Sequence, residues 1–448
     1  MTLRIFTLIG TLFWSTSYVG ALEVPENLSQ FELDNGLKII VIENHRAPIV
    51  NHTLWYDVGA SDDPPGKSGL THFVEHLMFE GTKNTEAGEF DNRIKLMGGF
   101  NNAFTNQEGS AYTVEVSTEY LEQVMELEAD RMVNLTFKPE LVLRERDVIL
   151  EERKERVDSS PSSLLREQMS ATLFQNHPYG IPTIGWEHEM RSLTLEDAKS
   201  FYKKYYHPKN ATLVISGDVY PDQVLELAKK YYGHLESPDD FERSPKLLEP
   251  PHMAERRVWF KDPRVSTEYV FRKYYVPAEY SSDAENLAAI ALMVEVLGGS
   301  GITSVLGEKL TVEEKIATYT GAGLIGDITR PVVINMYVVP AQGVSLEEAE
   351  AKMDGVIARF LEEGVDKDHL DRVKKQIKYS RTYAQDDAKN AAMEYGYGFV
   401  NGLTVEQTAA WTGQLLNSDE ESVLEAAEIL LSKNNSVTGW LLKEETEQ

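Results

Sequence analysis

The sequence predicts an α+β protein of two homologous domains, each a mostly antiparallel sheet with helices packed on it, and three observations carry that expectation. Strand and helix patterns are mixed along the whole chain. A junction recurs: helix 195–206, His207-Pro208-Lys209-Asn210 and strand 211–216 return as helix 419–431, Ser432-Lys433-Asn434-Asn435 and strand 436–442. Superposing Asn210 on Asn435 sets an offset of 225 residues, one ordinary domain apart. Between the halves, residues 237–256 are rich in proline and charge and read as a linker. The expected division is therefore a leader at 1–21, a first domain at 22–236, the linker 237–256 and a second domain at 257–448.

In order, Arg4, the mostly apolar run 5–14 and Val19-Gly20-Ala21 read as a secretory signal peptide cut after Ala21. That implies a periplasmic or secreted protein. The run is short for a membrane span, and no later stretch approaches the ~20 apolar residues of one. Asn35-Gly36 turns strand 28–33 into strand 37–43, where Ile39-Ile40-Val41-Ile42 suits a strand covered on both faces. Strand 50–58 follows, then a Pro/Gly loop at 61–68. Residues 69–82, GLTHFVEHLMFEGT, place Leu70, Phe73, Val74, Leu77 and Met78 on one helical stripe, with Gly81 past the end. Runs 100–105 and 111–117 form a hairpin or adjacent strands. Helices are expected at 118–135 and, after Pro139, at 140–157.

Composition excludes some partners. With 44 basic against 72 acidic residues the formal charge is -28, which disfavours nucleic acid and anionic lipid. The chain has no cysteine, so a metal cannot be held by thiolate. The chemistry sits on the polar side of helix 69–82. His72 and His76, four apart, aim two imidazoles at one point, with Glu75 beside them. A zinc site with an open position needs a third protein ligand. The charged helix 140–157 offers Glu145, Glu151, Glu152 and Glu155; Glu145 and Glu152 share a face, and spacing does not choose among the four.

His72-Phe73-Val74-Glu75-His76 is an inverted H-x-x-E-H zinc motif. With the runs 98–105, 110–112, 145–152, 177–180, 216–219 and 297–299, the chain resembles the pitrilysin/insulinase family of zinc metallopeptidases. The resemblance is to the short two-domain bacterial type, similar to the beta subunit of the mitochondrial processing peptidase. It implies one Zn2+ per chain on His72, His76 and Glu152, with Glu145 supporting the site. It also implies Glu75 as general base for hydrolysis of small or unfolded peptides, and a substrate strand at Asn102, Ala103, Phe104 and Thr105 that an extended peptide joins edge to edge.

The second domain departs from the family pattern. The family often places there an Arg and a Tyr that bind substrate; the matching run 310–319 keeps Tyr319 and has no arginine. The resemblance thus implies a heterodimer with a homologous, non-catalytic subunit that supplies the Arg/Tyr pair, or a homodimer. The alternative function is a structural or peptide-binding subunit that keeps the fold without catalysis.

Overall fold

The structure, a computed structural model, describes residues 24–243, 247–299, 301–326, 330–384 and 387–444; the expected leader lies outside the described residues. The first half contributes β1 (Leu28–Glu32), β2 (Lys38–Glu43), β3 (Ile49–Tyr56), β4 (Phe100–Thr105), β5 (Ser110–Ser117) and β6 (Ala211–Gly217), ordered β1-β2-β6-β3-β5-β4. The second contributes β7 (Arg256–Asp262), β8 (Tyr269–Val276), β9 (Ala317–Ile325), β10 (Val332–Pro340) and β11 (Ser436–Lys443), ordered β7-β11-β8-β10-β9. One pair in each sheet is parallel, β2 with β6 and β7 with β11. The other pairs run antiparallel. Apart from β1, the two sheets match strand for strand.

The helices repeat as well. In the first half they are α1 (Leu70–Leu77), α2 (Glu89–Leu96), α3 (Leu121–Asn134), α4 (Pro139–Arg153), α5 (Pro161–Leu173), the short α6 (Glu187–Met190), α7 (Leu195–Tyr205) and α8 (Pro221–Tyr231). In the second they are the short α9 (Ala278–Ser281), α10 (Ala284–Val294), α11 (Leu346–Glu363), α12 (Lys367–Ala384), α13 (Ala388–Val400), α14 (Val405–Asn417) and α15 (Glu420–Leu430). Both ends of α7 and α15 stand 225 residues apart, as do the 3-10 turns Pro208–Asn210 and Lys433–Asn435 that lead into β6 and β11.

Two expected helices are shorter. The stretch 69–82 is α-helical only to Leu77, because Phe79 N–H bonds His76 O (3.1 Å) and Glu80 N–H bonds Leu77 O (3.0 Å), tightening the last turn. The stretch 140–157 is α4 followed by a wide π turn, Lys154–Asp158. Pro161 cannot continue a helix from 157; it opens α5 instead, with the Ser160 hydroxyl accepting from Ser163 N–H.

Period-two alternation gives each sheet two apolar faces. Ile39 and Val41 of β2, Leu54 of β3 and Leu213 and Ile215 of β6 join one core with α1, α3, α7 and α8; Ile40, Ile42, Trp55 and Val214 point to the other face. That other face is closed by α13, through Ala392, Tyr395 and Val400. Gly396 is what lets α13 come close, since a Cβ there would stand 1.9 Å from Trp55 Nε1. The converse holds across the molecule: Leu165, Met169 and Leu173 of α5 are fully buried on the far face of the second sheet, against Phe271, Val437 and Leu441. Each of those three side chains is worth about 1.5–3 kcal/mol by burial. Each half therefore lends one helix to the other's sheet.

Both principal cores also contain buried charge. Under the first sheet Arg131 of α3 pairs with Glu128 (2.6 Å) among the rings of Phe79, Phe90 and Tyr112. In the second, Arg272 of β8 is fully buried and bonds Glu350 (2.9 Å) and Asp354 of α11 and the Thr438 hydroxyl of β11. Arg272→Met leaves two carboxylates short of a cation. Glu350 keeps Arg257 and the Trp440 indole N–H, so the expected loss is about 3 kcal/mol, the low end for a broken buried pair, read from urea unfolding.

Candidate metal centre

α1 is preceded by its N-cap residue Gly69, whose φ is +82° and where a Cβ would stand 2.5 Å from Ile184 O. Glycine cannot cap the helix with a side chain. Asp63 does so from the preceding loop, accepting from Gly69 N–H (2.7 Å), Thr71 N–H (2.8 Å) and the Thr71 hydroxyl (2.6 Å). Its burial pushes the carboxyl up to about 7 against those bonds. Sequence reasoning missed Asp63, because an aspartate six positions ahead of the N-cap residue is outside the usual cap position. The stripe Leu70, Phe73, Val74, Leu77 and Met78 is buried in the first core, so the opposite face of α1 is turned to α4.

There three groups converge. His72 Nε2 lies 3.4 Å and His76 Nε2 3.2 Å from Glu152 Oε2, and the three donor atoms fall within 4.8 Å of one another. Ligands at about 2.0–2.1 Å from a tetrahedral zinc stand about 3.3 Å apart, so the gap is of the right size. Two imidazoles and a carboxylate also make a zinc-type donor set, and Glu152 Oε2 is buried facing the two imidazole nitrogens. The residues fit the ion. Among the described residues no other group of three His, Cys, Asp or Glu side chains is so arranged.

The surroundings order these ligands. Glu145, one helical face up from Glu152, sits 3.4 Å from His76 Nδ1, the nitrogen that points away from the convergence point. A carboxylate on the far nitrogen fixes a ligating imidazole's tautomer and orientation. Arg156 Nη1 holds the other oxygen of Glu152 at 2.7 Å. Burial, and secondarily His76, pulls His72 down to about 4, which keeps that ring neutral as a ligand must be. Burial also lowers His76, but its bonds to Glu145 and Glu152 prevail and bring it up to about 9. The Glu152 carboxyl is held below its usual range chiefly by the His76 bond.

Glu75 is buried beside this group, and burial raises its carboxyl above the ordinary value. Its Oε2 accepts a 2.5 Å hydrogen bond from the Thr105 hydroxyl. Thr105 ends β4, an edge strand paired only with β5, so the far side of β4 carries free backbone groups. Along β4, Ala103 and Thr105 face α1, while Phe104 packs against Trp55 and Tyr397 on the other side and Asn102 is exposed. The structure thus brings His72, Glu75, His76, Glu145, Glu152 and Thr105 together and sets Asn102 and Phe104 on the opposite face of the strand. Carried by the 225-residue offset, His72 falls on Leu297 in the second half, which is fully buried in the second core with Val294 and Val296. Tyr319, on β9, is half-exposed and stacks on Tyr337.

Comparison with known proteins matches two family models end to end along the chain. Residues 38–187 match the insulinase family (peptidase family M16), and residues 192–377 match the peptidase M16 inactive domain. Zinc protease PqqE of Helicobacter pylori is 34% identical over 288 residues, 64% of this chain and 64% of that protein. A probable mitochondrial-processing peptidase subunit beta of Arabidopsis thaliana is 30% identical over 205 residues, 46% of this chain and 38% of that protein. The chain thus spans less than two thirds of these curated relatives. A crystal structure of a protease from Helicobacter pylori superposes with a TM-score of 0.87 at 26% identity, covering 93% of this chain and 99% of that one. The periplasmic protease PqqL of Escherichia coli shares the fold at 21% identity and TM-score 0.81, with 94% of this chain and 48% of that one covered. No described helix is long and apolar enough to cross a membrane.

Proposed function

The chain belongs to the insulinase family, peptidase M16, and on that premise we propose that it is a zinc-dependent endopeptidase acting on small or unfolded peptides. The observation that carries this is the meeting of His72 Nε2, His76 Nε2 and Glu152 Oε2 next to the buried Glu75. Those three atoms would hold the metal, which when bound would supply a Lewis acid and an acidified water. Glu75 takes a proton from the attacking water and returns it to the departing amine, so no covalent intermediate forms. The Thr105 hydroxyl orients Glu75 for both transfers. Glu145 keeps His76 turned toward the ligand position, and Arg156 does the same for Glu152. The free side of β4, at residues 102–105, pairs with an extended peptide through its backbone, which gives affinity with little demand on sequence.

The first half, 22–236, carries this chemistry and the second, 257–448, is unarmed, with 237–256 between them. Run 310–319 lacks an arginine, and Tyr319 alone offers a half-exposed phenol there. The enzyme accordingly works with a homologous non-catalytic subunit that supplies the missing pair, or as a homodimer. Its leader directs it to the periplasm or beyond. Elemental analysis of the purified chain tests the core of the proposal: about one zinc per chain is expected, with peptide cleavage lost on chelation and restored by zinc. Cleavage that survives removal of all metal would overturn it.

A further inference from the structure

The turn between β4 and β5, residues 106–109, is held by more than its own hairpin. Asn106 Oδ1 accepts from Glu108 N–H and Gly109 N–H, both at 2.7 Å. Ala60 N–H and Ser61 N–H, in the loop that leads to α1, bond Asn106 O and Gln107 O (both 2.9 Å). Gly109 packs against Val400 of α13. At the centre is a cluster of five charged side chains. Arg243, from the segment between the halves, binds Asp57, Asp62 (2.8 Å) and Glu108 O (3.4 Å). Arg330, two residues ahead of β10 in the second half, places Nη1 2.9 Å from Glu108 Oε2 and donates from Nη2 to Val400 O (2.6 Å). Asp57 also lies 3.9 Å from Arg330.

Arg330 and Glu108 have about a tenth or less of their side-chain surface exposed, so their attraction is little screened by solvent. The hairpin tip that they clamp is three residues from Thr105, whose hydroxyl holds Glu75. A β-hairpin is stiff along its length, and a tip fixed from the second half sets where β4 ends. Resting on the hydrolytic role proposed above, we infer that Arg330 is a positioning residue for that site: through Glu108 it fixes the β4–β5 turn and, by way of Thr105, the Glu75 carboxylate. The second half then contributes to the geometry of the site although it holds no ligand.

The test uses the full zinc-loaded chain, with Arg330→Met, Thr105→Val, the double variant, and Arg330→Lys as a conservative substitution that keeps the charge if Arg330→Met fails to fold. Amide hydrogen exchange over residues 103–111 and peptide kinetics are both read. Arg330→Met is expected to speed exchange in that segment and to lower kcat by about tenfold, the size of effect a sub-ångström misplacement has, with KM and zinc content within about twofold of wild type. Arg330→Lys should recover part of both. Because the route runs through Thr105, the double variant should be no slower than Thr105→Val alone. Unchanged exchange in Arg330→Met would overturn the clamp, and independently multiplying losses in the double variant would overturn the route. Should the wild-type chain cleave no peptide at all, either alone or reconstituted with a homologous non-catalytic subunit, the hydrolytic reading fails, while the exchange arm still decides the clamp.

Discussion

Glu75→Gln is expected to remove peptide hydrolysis almost entirely, by about 10²–10⁴-fold in kcat, the range for losing a general base. The substitution is nearly isosteric, so the packing of α1 on the first core should persist. An amide still accepts the Thr105 hydroxyl bond, and Glu75 is not one of the three converging ligand atoms. Zinc content and the unfolding midpoint should therefore match wild type, while the amide can neither take the proton from water nor return it. The contrast between retained metal and lost turnover is the readout, measured by elemental analysis beside a peptide-cleavage assay. Hydrolysis at more than about a tenth of the wild-type rate would mean that another group serves as the base.

The second large effect separates Glu152 from Glu145, two carboxylates seven residues apart on one helix. Glu152 Oε2 is the atom on which both imidazoles converge, so Glu152→Gln leaves a two-histidine site. Zinc affinity should drop by about 100-fold or more, and activity with it. Of the two imidazoles, Glu145 meets only the outer nitrogen of His76, and Arg144 holds its other oxygen. Glu145→Gln should keep the ion at saturating zinc and cost about 10–100-fold in affinity or rate, as the loss of an orienting carboxylate does. Competition with a chromogenic chelator orders the two variants. Equal affinities would sink the distinction between holding the metal and steering a ligand.

Much of this was legible in the residues, for stated reasons. The apolar stripe of α1 forces His72, Glu75 and His76 to its other side, and that follows from helical periodicity alone. The 225-residue offset survives because the turns at Pro208–Asn210 and Lys433–Asn435 keep the spacing of α7 to β6 and of α15 to β11. Choosing Glu152 over Glu145 needed either the family resemblance or coordinates, since both lie on the face of α4 that meets α1. What stayed hidden is mostly tertiary. Leu165, Met169 and Leu173 mark α5 as amphipathic without saying which sheet it covers. The link from Thr105 to Glu75 joins residues 30 apart in sequence. The Arg330 and Glu108 pair joins opposite halves, and nothing local to either announces it.

The reciprocal loan of α5 and α13 bears on ancestry and on cutting points. Trading an equivalent arm between two like modules is what a swapped dimer does, and fusing the genes of such a dimer would leave the present arrangement, with α5 and α13 offset by 227 residues at both ends. A protease nick in residues 237–256 would not release two finished bodies, because each fragment would carry a naked sheet face and an orphaned arm.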